Sequence, residues 1–357
     1  MSLVGPVRAS DTKYTFGQGA TVRYYGWLHF AEQSVEDGLA TTSNIVDPSG
    51  AVSRFGFFIE PLEGGGPLSF QFETGLGFRA SSKTDQLFTP DAWNWKRTDL
   101  RQVQLIFKTG IGTFRLGQGS MAADGAAETD LGATVVVAKS TIPESHGAFL
   151  FRTNTGTLSS RTINSVFDNF DGLRRFRLRF DTRDFSGFSL AAAYGQEVLK
   201  SGDSNEYYDL ALRYRRKGPN LDIQGAIGST YTNGKTTPNL RKTLGSLSVF
   251  HHPSGLNLSL AGGQAGNGGG RYVYVKGGWN TNLVAAGPTK FAIESFRGQD
   301  YVTAASRSDM WGVAVIQNID AHNLEIYAGY RGFAYDDKTP AIYRDIGALQ
   351  VGARWRF

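Results

Sequence analysis

The last twelve residues of the chain, IGALQVGARWRF at positions 346–357, alternate between apolar and polar or small side chains. The apolar positions of one parity are Leu349, Val351, Ala353, Trp355 and Phe357. A side-chain period of two is the pattern of a β-strand with one apolar and one polar face. Because this strand ends on aromatic residues, the fold depends on which solvent its apolar face contacts.

The same alternation recurs along the chain in segments of about ten residues, as in membrane-spanning strands. It predicts about sixteen strands, near 21–32, 52–60, 68–79, 99–108, 113–119, 173–183, 187–197, 206–216, 220–231, 242–251, 256–265, 271–280, 289–297, 308–317, 322–333 and 346–357. Short connections such as TGIG (109–112) and HPSG (252–255) follow every second strand, and most of the others are longer. Short turns at one end and loops at the other indicate an up-and-down meander of hairpins.

Composition agrees with an all-β chain. The 357 residues include 45 glycines, 13% are aromatic, and no apolar run approaches the roughly 18 residues of a membrane-spanning helix. Cysteine is absent, which excludes disulfides and thiolate metal sites. The net charge of +5 is mild and spread along the chain, so the sequence does not predict nucleic-acid binding. The first twenty residues lack the pattern of a secretory signal, so we expect a mature form.

The number of strands decides which face is apolar. A barrel of about sixteen strands encloses a lumen too wide for apolar side chains to fill, so the apolar face must point outward into lipid. In the segment LRRFRLRFD (173–181), three arginines alternate with apolar residues, which suits a wall facing water. A membrane-spanning sheet must close on itself, so the first and last strands are expected to pair. The alternative is a soluble β-sandwich, which offers no place for the long connection at 120–172.

In this arrangement the sequence resembles the sixteen-stranded general porins of Gram-negative outer membranes. The resemblance rests on the terminal strand VGARWRF, the strand GTFRLGQGS at 112–120, and the long connection that follows this fifth strand. It implies a transmembrane antiparallel barrel over residues 20–357, preceded by an N-terminal segment (1–19) whose order the sequence leaves open. Residues 120–172 would form a constriction loop inside the lumen. It also implies a homotrimer in which the second loop contacts a neighbour.

The resemblance further implies a constriction in which acidic loop residues face arginines on the barrel wall. The acidic candidates are Asp124, Glu128, Asp130, Glu144, Asp168 and Asp171. The basic candidates are Arg23, Arg54, Arg101, Arg115, Arg175, Arg177 and Arg179, with Lys108 an alternative to Arg101. Parity with Val103 and Leu105 turns Arg101 outward unless a β-bulge intervenes. Trp355 and Phe357 are expected in the aromatic girdle at the membrane interface.

The function expected from these features is passive diffusion of small hydrophilic solutes and ions through an outer-membrane pore, among lipid and lipopolysaccharide. Basic residues outnumber acidic ones on the predicted inner face and loop, which predicts weak anion preference. One alternative is a channel specific for anionic solutes or for sugars, the latter with Tyr25, Trp27, Tyr272 and Tyr274 as a possible aromatic track. A barrel lipase or protease is the second alternative. No nucleophile, base or metal-ligand spacing is recognisable, so we expect no catalysis, metal or cofactor.

Overall fold

The computed structural model describes residues 13–16, 20–61, 66–235 and 237–357. Within these ranges the chain forms twenty β-strands. The first ten are β1 (Lys13–Phe16), β2 (Ala20–Glu36), β3 (Thr41–Val46), β4 (Arg54–Pro61), β5 (Leu68–Gly75), β6 (Leu100–Thr109), β7 (Gly112–Ser120), β8 (Leu150–Arg152), β9 (Leu158–Thr162) and β10 (Arg174–Thr182). The last ten are β11 (Phe188–Gln196), β12 (Glu206–Arg216), β13 (Leu221–Asn233), β14 (Leu240–His251), β15 (Leu256–Ala265), β16 (Arg271–Val284), β17 (Gly287–Gln299), β18 (Arg307–Ile319), β19 (Leu324–Asp336) and β20 (Ile346–Arg356).

Sixteen of these strands, β2, β4–β7 and β10–β20, form one closed antiparallel barrel. Closure is made by β2 and β20, which pair from Trp27 opposite Arg356 to Glu36 opposite Gly347. Strands β1 and β3 add to the two ends of β2, and β8 and β9 form a separate hairpin. The predicted barrel, its strand number and the pairing of its first and last strands are confirmed, and the soluble sandwich is excluded.

The apolar face of the barrel points outward. On β10, Phe176 and Leu178 are 46% and 53% exposed on the barrel surface, whereas Arg177 between them is 2% exposed. The same alternation of exposed apolar and covered polar side chains continues on β12 and β15. This is the arrangement expected for a barrel that contacts lipid outside and water inside.

Helices are short in this fold. Within the described ranges the chain forms two α-helices of four residues each, α1 (Pro143–His146) and α2 (Ile163–Val166). It also forms 3₁₀ turns at Ser49–Ala51, Ser81–Lys83, Arg97–Asp99 and Asp320–His322. Among the residues placed by the structure, no helix is long and apolar enough to cross a bilayer.

The long loop, residues 121–173 between β7 and β10, lies inside the barrel. Its buried side chains Phe149, Phe167 and Phe170 pack against inward-facing aromatic residues of the wall, including Tyr272 and Phe296. The ring centroids of Phe167 and Phe296 are 5.4 Å apart. Apolar burial against β13–β20 therefore fills one side of a lumen that the strands alone leave open.

The end of β20 lies at the rim formed by the short turns. The backbone N–H of Phe357 donates to the Gly26 carbonyl at 3.1 Å, and the Phe357 ring packs over Gly26. A Cβ at Gly26 would lie 2.6 Å from Cζ of Phe357, so glycine is required for this contact. Trp355 is exposed on the outer face, with its ring centroid 5.5 Å from that of Phe357.

Candidate pore constriction

The inner wall opposite the long loop carries a pair of arginines that share one carboxylate. Nη1 of Arg54 on β4 is 3.3 Å from Oε1 of Glu73 on β5, and Nε of Arg101 on β6 is 2.6 Å from the same oxygen. The guanidinium of Arg54 also stacks on the Trp27 ring, 4.2 Å from its centroid. Two cations against one anion leave this part of the wall with a local excess of positive charge.

Arg101 reaches the lumen because of a β-bulge. In the pairing of β5 with β6, Gln102 lies opposite Glu73 and Leu100 opposite Thr74, so Arg101 is an extra residue. An inserted residue re-aims the side chains of the bulged strand. Without a bulge, parity with Val103 and Leu105 would turn the Arg101 side chain outward. The bulge turns this side chain into the lumen.

Hydrogen bonds connect this pair to the rest of the wall. The Tyr25 hydroxyl donates to Oε2 of Glu73 at 3.0 Å and accepts from Nε2 of Gln71 at 2.8 Å. Gln104 donates to Gln71 at 2.6 Å and accepts from Arg177 at 2.5 Å. The network fixes the orientation of Glu73, and through it the two arginines.

The arginines of β10 support the start of the long loop. Arg177 is buried and donates to the carbonyls of Gly117 at 2.7 Å and Ser120 at 3.1 Å. Arg179 donates to the Met121 carbonyl at 2.8 Å and pairs with Asp181 at 2.6 Å. The charges of Arg177 and Arg179 are therefore partly compensated by carbonyl oxygens and by Asp181, which reduces their contribution to the electric field of the lumen.

The other three basic candidates are also paired with acidic residues of the described wall or loops. Arg175 lies 3.3 Å from Glu197, and Arg115 pairs with Asp181. Arg23 is 3.6 Å from Glu60 and stacks on Phe58. On β2, Arg23 is four residues nearer the short-turn end than Trp27. Arg23 therefore lies apart from the Arg54–Arg101 pair.

Three of the six acidic candidates interact with basic side chains of the wall or of the loop itself. Asp124 is half-buried and interacts electrostatically with Arg101, Arg177 and Arg213. Glu128 and Glu144 both interact electrostatically with Lys139, which pairs with Glu144. Of these three acids, Asp124 is the one that the described structure brings into interaction with the Arg54–Arg101 pair.

The other three acids hold the loop in place. Asp130 is 3.1 Å from Nζ of Lys276 on β16, and Asp168 is 3.2 Å from Nζ of Lys242 on β14. Asp171 accepts backbone N–H groups of Gly125 at 2.7 Å and Ala127 at 2.8 Å. They serve as anchors on the far wall and within the loop.

Burial makes two carboxyl groups of the loop easier to protonate. The pKa of Glu128 is raised by desolvation and by its carboxylate neighbours Glu144 and Asp124, although Lys139 opposes this. The pKa of Asp171 is raised well above its ordinary value by desolvation and by Glu128 and Asp124. Both groups therefore take up a proton at a higher pH than an exposed carboxyl group does.

Three buried ring side chains of the inner wall lie outside the constriction. Tyr272 and Tyr274 are buried behind the loop, where Tyr274 donates to Glu294 at 2.7 Å, so they form no aromatic track along the pore. His29 is buried between the Ala51 carbonyl and the Tyr327 hydroxyl. Within the described ranges, no group of three or more histidine or acidic residues could hold a metal ion.

Sequence reasoning did not identify the residues that anchor the loop. Lys276 donates to Thr134 at 2.8 Å and to the Ala138 carbonyl at 3.1 Å, in addition to its pair with Asp130. Arg331 on β19 is held by Glu294 at 2.7 Å and donates to the Lys139 carbonyl at 3.1 Å. Their only sequence signal is a charged residue at an inward position, which does not distinguish an anchor from a wall charge.

The comparisons with known proteins agree with this architecture. The family model described as Gram-negative porin matches residues 7–353. The chain belongs to the Gram-negative porin family. No match was found among curated proteins.

Solved structures similar to this porin are also outer-membrane proteins. The anion-selective porin from Comamonas acidovorans superposes with a TM-score of 0.62 at 14% identity, covering 95% of this chain and 100% of that one. OprB of Pseudomonas putida superposes with a TM-score of 0.63 at 10% identity, covering 95% of this chain and 94% of that one. A trimer form of OmpT from Vibrio cholerae superposes with a TM-score of 0.56 at 13% identity, covering 95% of this chain and 99% of that one. These likenesses show the fold. Membership of the Gram-negative porin family makes this protein an outer-membrane channel for small solutes, as the sequence predicted.

Removing the loop anchor on β16 should destabilise the porin strongly. The Lys276 side chain is 1% exposed, and Lys276→Met leaves Asp130 as a buried carboxylate without its cation, which costs about 3–5 kcal/mol. We expect lower thermal stability and noisy, fluctuating conductance.

Lys242→Met is the matched control for this change. Lys242 also pairs with a loop acid, but its side chain is 25% exposed, so its loss should cost at most about 1 kcal/mol. Equal behaviour of the two variants in thermal unfolding and in single-channel recordings would contradict the anchoring role of Lys276.

Proposed function

We propose that the narrowest part of the pore lies between the long loop and the wall formed by β4–β7 and β10. The observation that carries this proposal is the Arg54–Glu73–Arg101 cluster on that wall, together with the interaction of Asp124 on the loop with Arg101. Charged groups at a constriction determine which ions pass, because passing solutes come within a few ångströms of them. Small hydrophilic solutes cross this zone by diffusion, and the barrel catalyses no reaction.

The balance of charge in this zone favours anions weakly. Arg54 and Arg101 share one carboxylate, while burial raises the pKa of Glu128 and of Asp171 on the loop. Lowering the pH protonates more of these loop carboxyls, so anion preference should increase as the medium becomes more acidic. Anion preference should decrease at high salt, because the screening length falls to a few ångströms.

Single-channel recording in planar bilayers tests the proposal. A stable open conductance is expected, with a reversal potential in a salt gradient on the anion side that grows as the pH is lowered. A cation-side reversal potential at neutral pH, or a shift toward cations on acidification, would overturn the proposed charge balance.

A channel specific for anionic solutes is the second candidate. Stacking of Arg54 on Trp27, and of Arg175 on Tyr207 at 4.1 Å, gives the lumen flat cationic surfaces that suit carboxylates. Such a channel would show a solute flux that saturates with concentration. A flux that rises linearly would identify the general diffusion pore.

We also propose that this porin assembles as a homotrimer through its second long loop, residues 76–99. This loop presents exposed apolar side chains, among which Leu87 is 74% exposed and Trp93 63% exposed. Exposed apolar clusters of this kind are typical of protein contacts. The Vibrio cholerae neighbour has a trimer form, which supports the same assembly here.

Replacing Leu87, Phe88 and Trp93 by serine should weaken the trimer. Because burial of a large apolar side chain contributes about 1.5–3 kcal/mol, loss of three should shift the particle to monomer in mild detergent. Cross-linking and light scattering measure the change. Leu283→Ser and Val284→Ser, at the exposed end of β16, provide the control, and an equally stable trimer in both variants would contradict the proposed contact.

A further inference from the structure

A cavity of about 270 Å³ lies at the long-loop end of the barrel, where β6 and β10 begin and β7 ends. Its walls include residues of the second and fourth long loops, residues 76–99 and 197–205. Four basic side chains line it, namely Arg101, Arg174, Arg175 and Lys200. Of these, only Arg101 belongs to the cluster with Glu73, so most of the cavity lies beside the constriction.

Two of the four cations have no acidic partner. Arg101 is paired with Glu73 and Arg175 with Glu197, whereas Arg174 and Lys200 form no ion pair within the described part of the chain. Arg174 also interacts electrostatically with Arg101, which adds like-charge repulsion. An anion placed between these groups would relieve that repulsion.

The three acids that line the cavity are occupied by other contacts. Glu197 pairs with Arg175 and accepts the backbone N–H of Leu199 at 2.8 Å. Asp99 accepts the backbone N–H of Lys96 at 2.7 Å. Asp47 accepts the backbone N–H of Ser53 at 2.8 Å, and burial raises the pKa of Asp47 to about 7. These carboxylates do not neutralise Arg174 and Lys200.

Three buried polar atoms of the lining also have no hydrogen-bond partner. They are Nε of Arg174, Nε of Arg175 and Oε1 of Gln118. An unsatisfied buried donor costs about 1–3 kcal/mol, so two such donors on neighbouring arginines are unusual. The Gln118 amide can be turned to present its NH₂ group, since the two orientations have the same shape. In that orientation all three groups are donors, and their unsatisfied hydrogen bonds add to the unpaired positive charge of the lining.

We propose that this cavity binds a phosphate-class oxyanion, held by Arg174, Lys200, Arg175 and the Gln118 amide. Tetrahedral oxyanions accept hydrogen bonds from several directions and form strong pairs with arginine. Leu173, beside Arg174, lines the cavity and is exposed, so the cavity opens toward the surface of the protein. The phosphate can therefore come from solution or from the headgroup of a phosphorylated lipid in the outer leaflet. Arg101 lines both this cavity and the proposed constriction, whereas Arg174, Lys200 and the Gln118 amide belong to the cavity.

Calorimetric titration of the folded porin in detergent with inorganic phosphate tests the site. We expect Arg174→Gln and Lys200→Gln each to weaken phosphate binding about tenfold, because each removes a charge-assisted contact. Arg216→Gln removes an exposed, unpaired arginine at the opposite end of the barrel and should leave binding unchanged. The shift in gel mobility on heating shows that each variant is folded.

A second arm identifies the source of the phosphate. Vesicles containing lipid A with and without its phosphates are compared for binding to the wild-type porin and to Arg174→Gln. A phosphate-dependent affinity that Arg174→Gln removes supports the site with a lipid headgroup as ligand, and binding of inorganic phosphate alone supports a free anion. Binding in neither arm, or equal loss in Arg174→Gln and Arg216→Gln, overturns the proposal. Neither readout depends on conductance, so the pore can be tested independently.

Discussion

Excision of the loop segment 125–171 is expected to increase single-channel conductance at least about twofold, because a sixteen-stranded barrel has a wide lumen unless a loop fills it. The ends of this segment meet in space. An added Cβ at Gly172 would lie 2.2 Å from the backbone nitrogen of Asp124, and the Met121 N–H donates to the Leu173 carbonyl at 3.0 Å. A linker of two glycines should therefore close the gap and leave the β7–β10 pairing intact.

The control for the excision is removal of Asn267–Gly269 from the exposed loop between β15 and β16, which should not change conductance. Excision also exposes Tyr272, Phe296 and Phe333 of the inner wall to water, so a lower unfolding temperature is expected. Folding is checked by the shift in gel mobility on heating. A folded excision variant with wild-type conductance would show that the loop does not limit the pore.

The barrel was predictable because its signal is local. Alternation with period two is imposed on every strand by lipid on one side and water on the other, so each segment can be recognised without knowing its partner. The terminal strand and the segment 173–181 carried this signal most clearly. The length of the 120–172 connection likewise indicated a functional loop, because fifty residues cannot remain exposed with stretches such as GAFLF.

The arrangement within the constriction was less predictable, because it depends on contacts between distant residues. The direction of Arg101 follows from a bulge in its pairing with β5, which no local pattern reveals. Asp130 and Asp171 resemble any other loop acid in sequence. Their roles depend on Lys276, far along the chain, and on backbone N–H groups brought close by folding. Whether the arginines and the loop carboxylates together set the selectivity remains a prediction.

Replacement of both Arg54 and Arg101 by glutamine is expected to shift the porin from anion to cation preference. The change leaves Glu73 in the lumen without its two cations, and the Tyr25 hydroxyl still holds the carboxylate in place. Two unit charges about 4 Å apart interact by about 1 kcal/mol even in water. Removal of two positive charges from the constriction should therefore change the ratio of anion to cation permeability about tenfold or more. The reversal potential in a salt gradient measures this ratio.

Two further variants separate a constriction effect from a general change in charge. Glu73→Gln should shift the reversal potential in the opposite direction, toward anions, because it removes the carboxylate that both arginines share. Arg177→Gln removes one cation that is buried and bonded to the carbonyls of Gly117 and Ser120, so it should lower thermal stability more than it alters selectivity. If Arg177→Gln shifted the reversal potential as far as the Arg54 and Arg101 change, the field at the narrowest point would arise from β10. The constriction would then lie beside the start of the long loop and not at the Glu73 cluster.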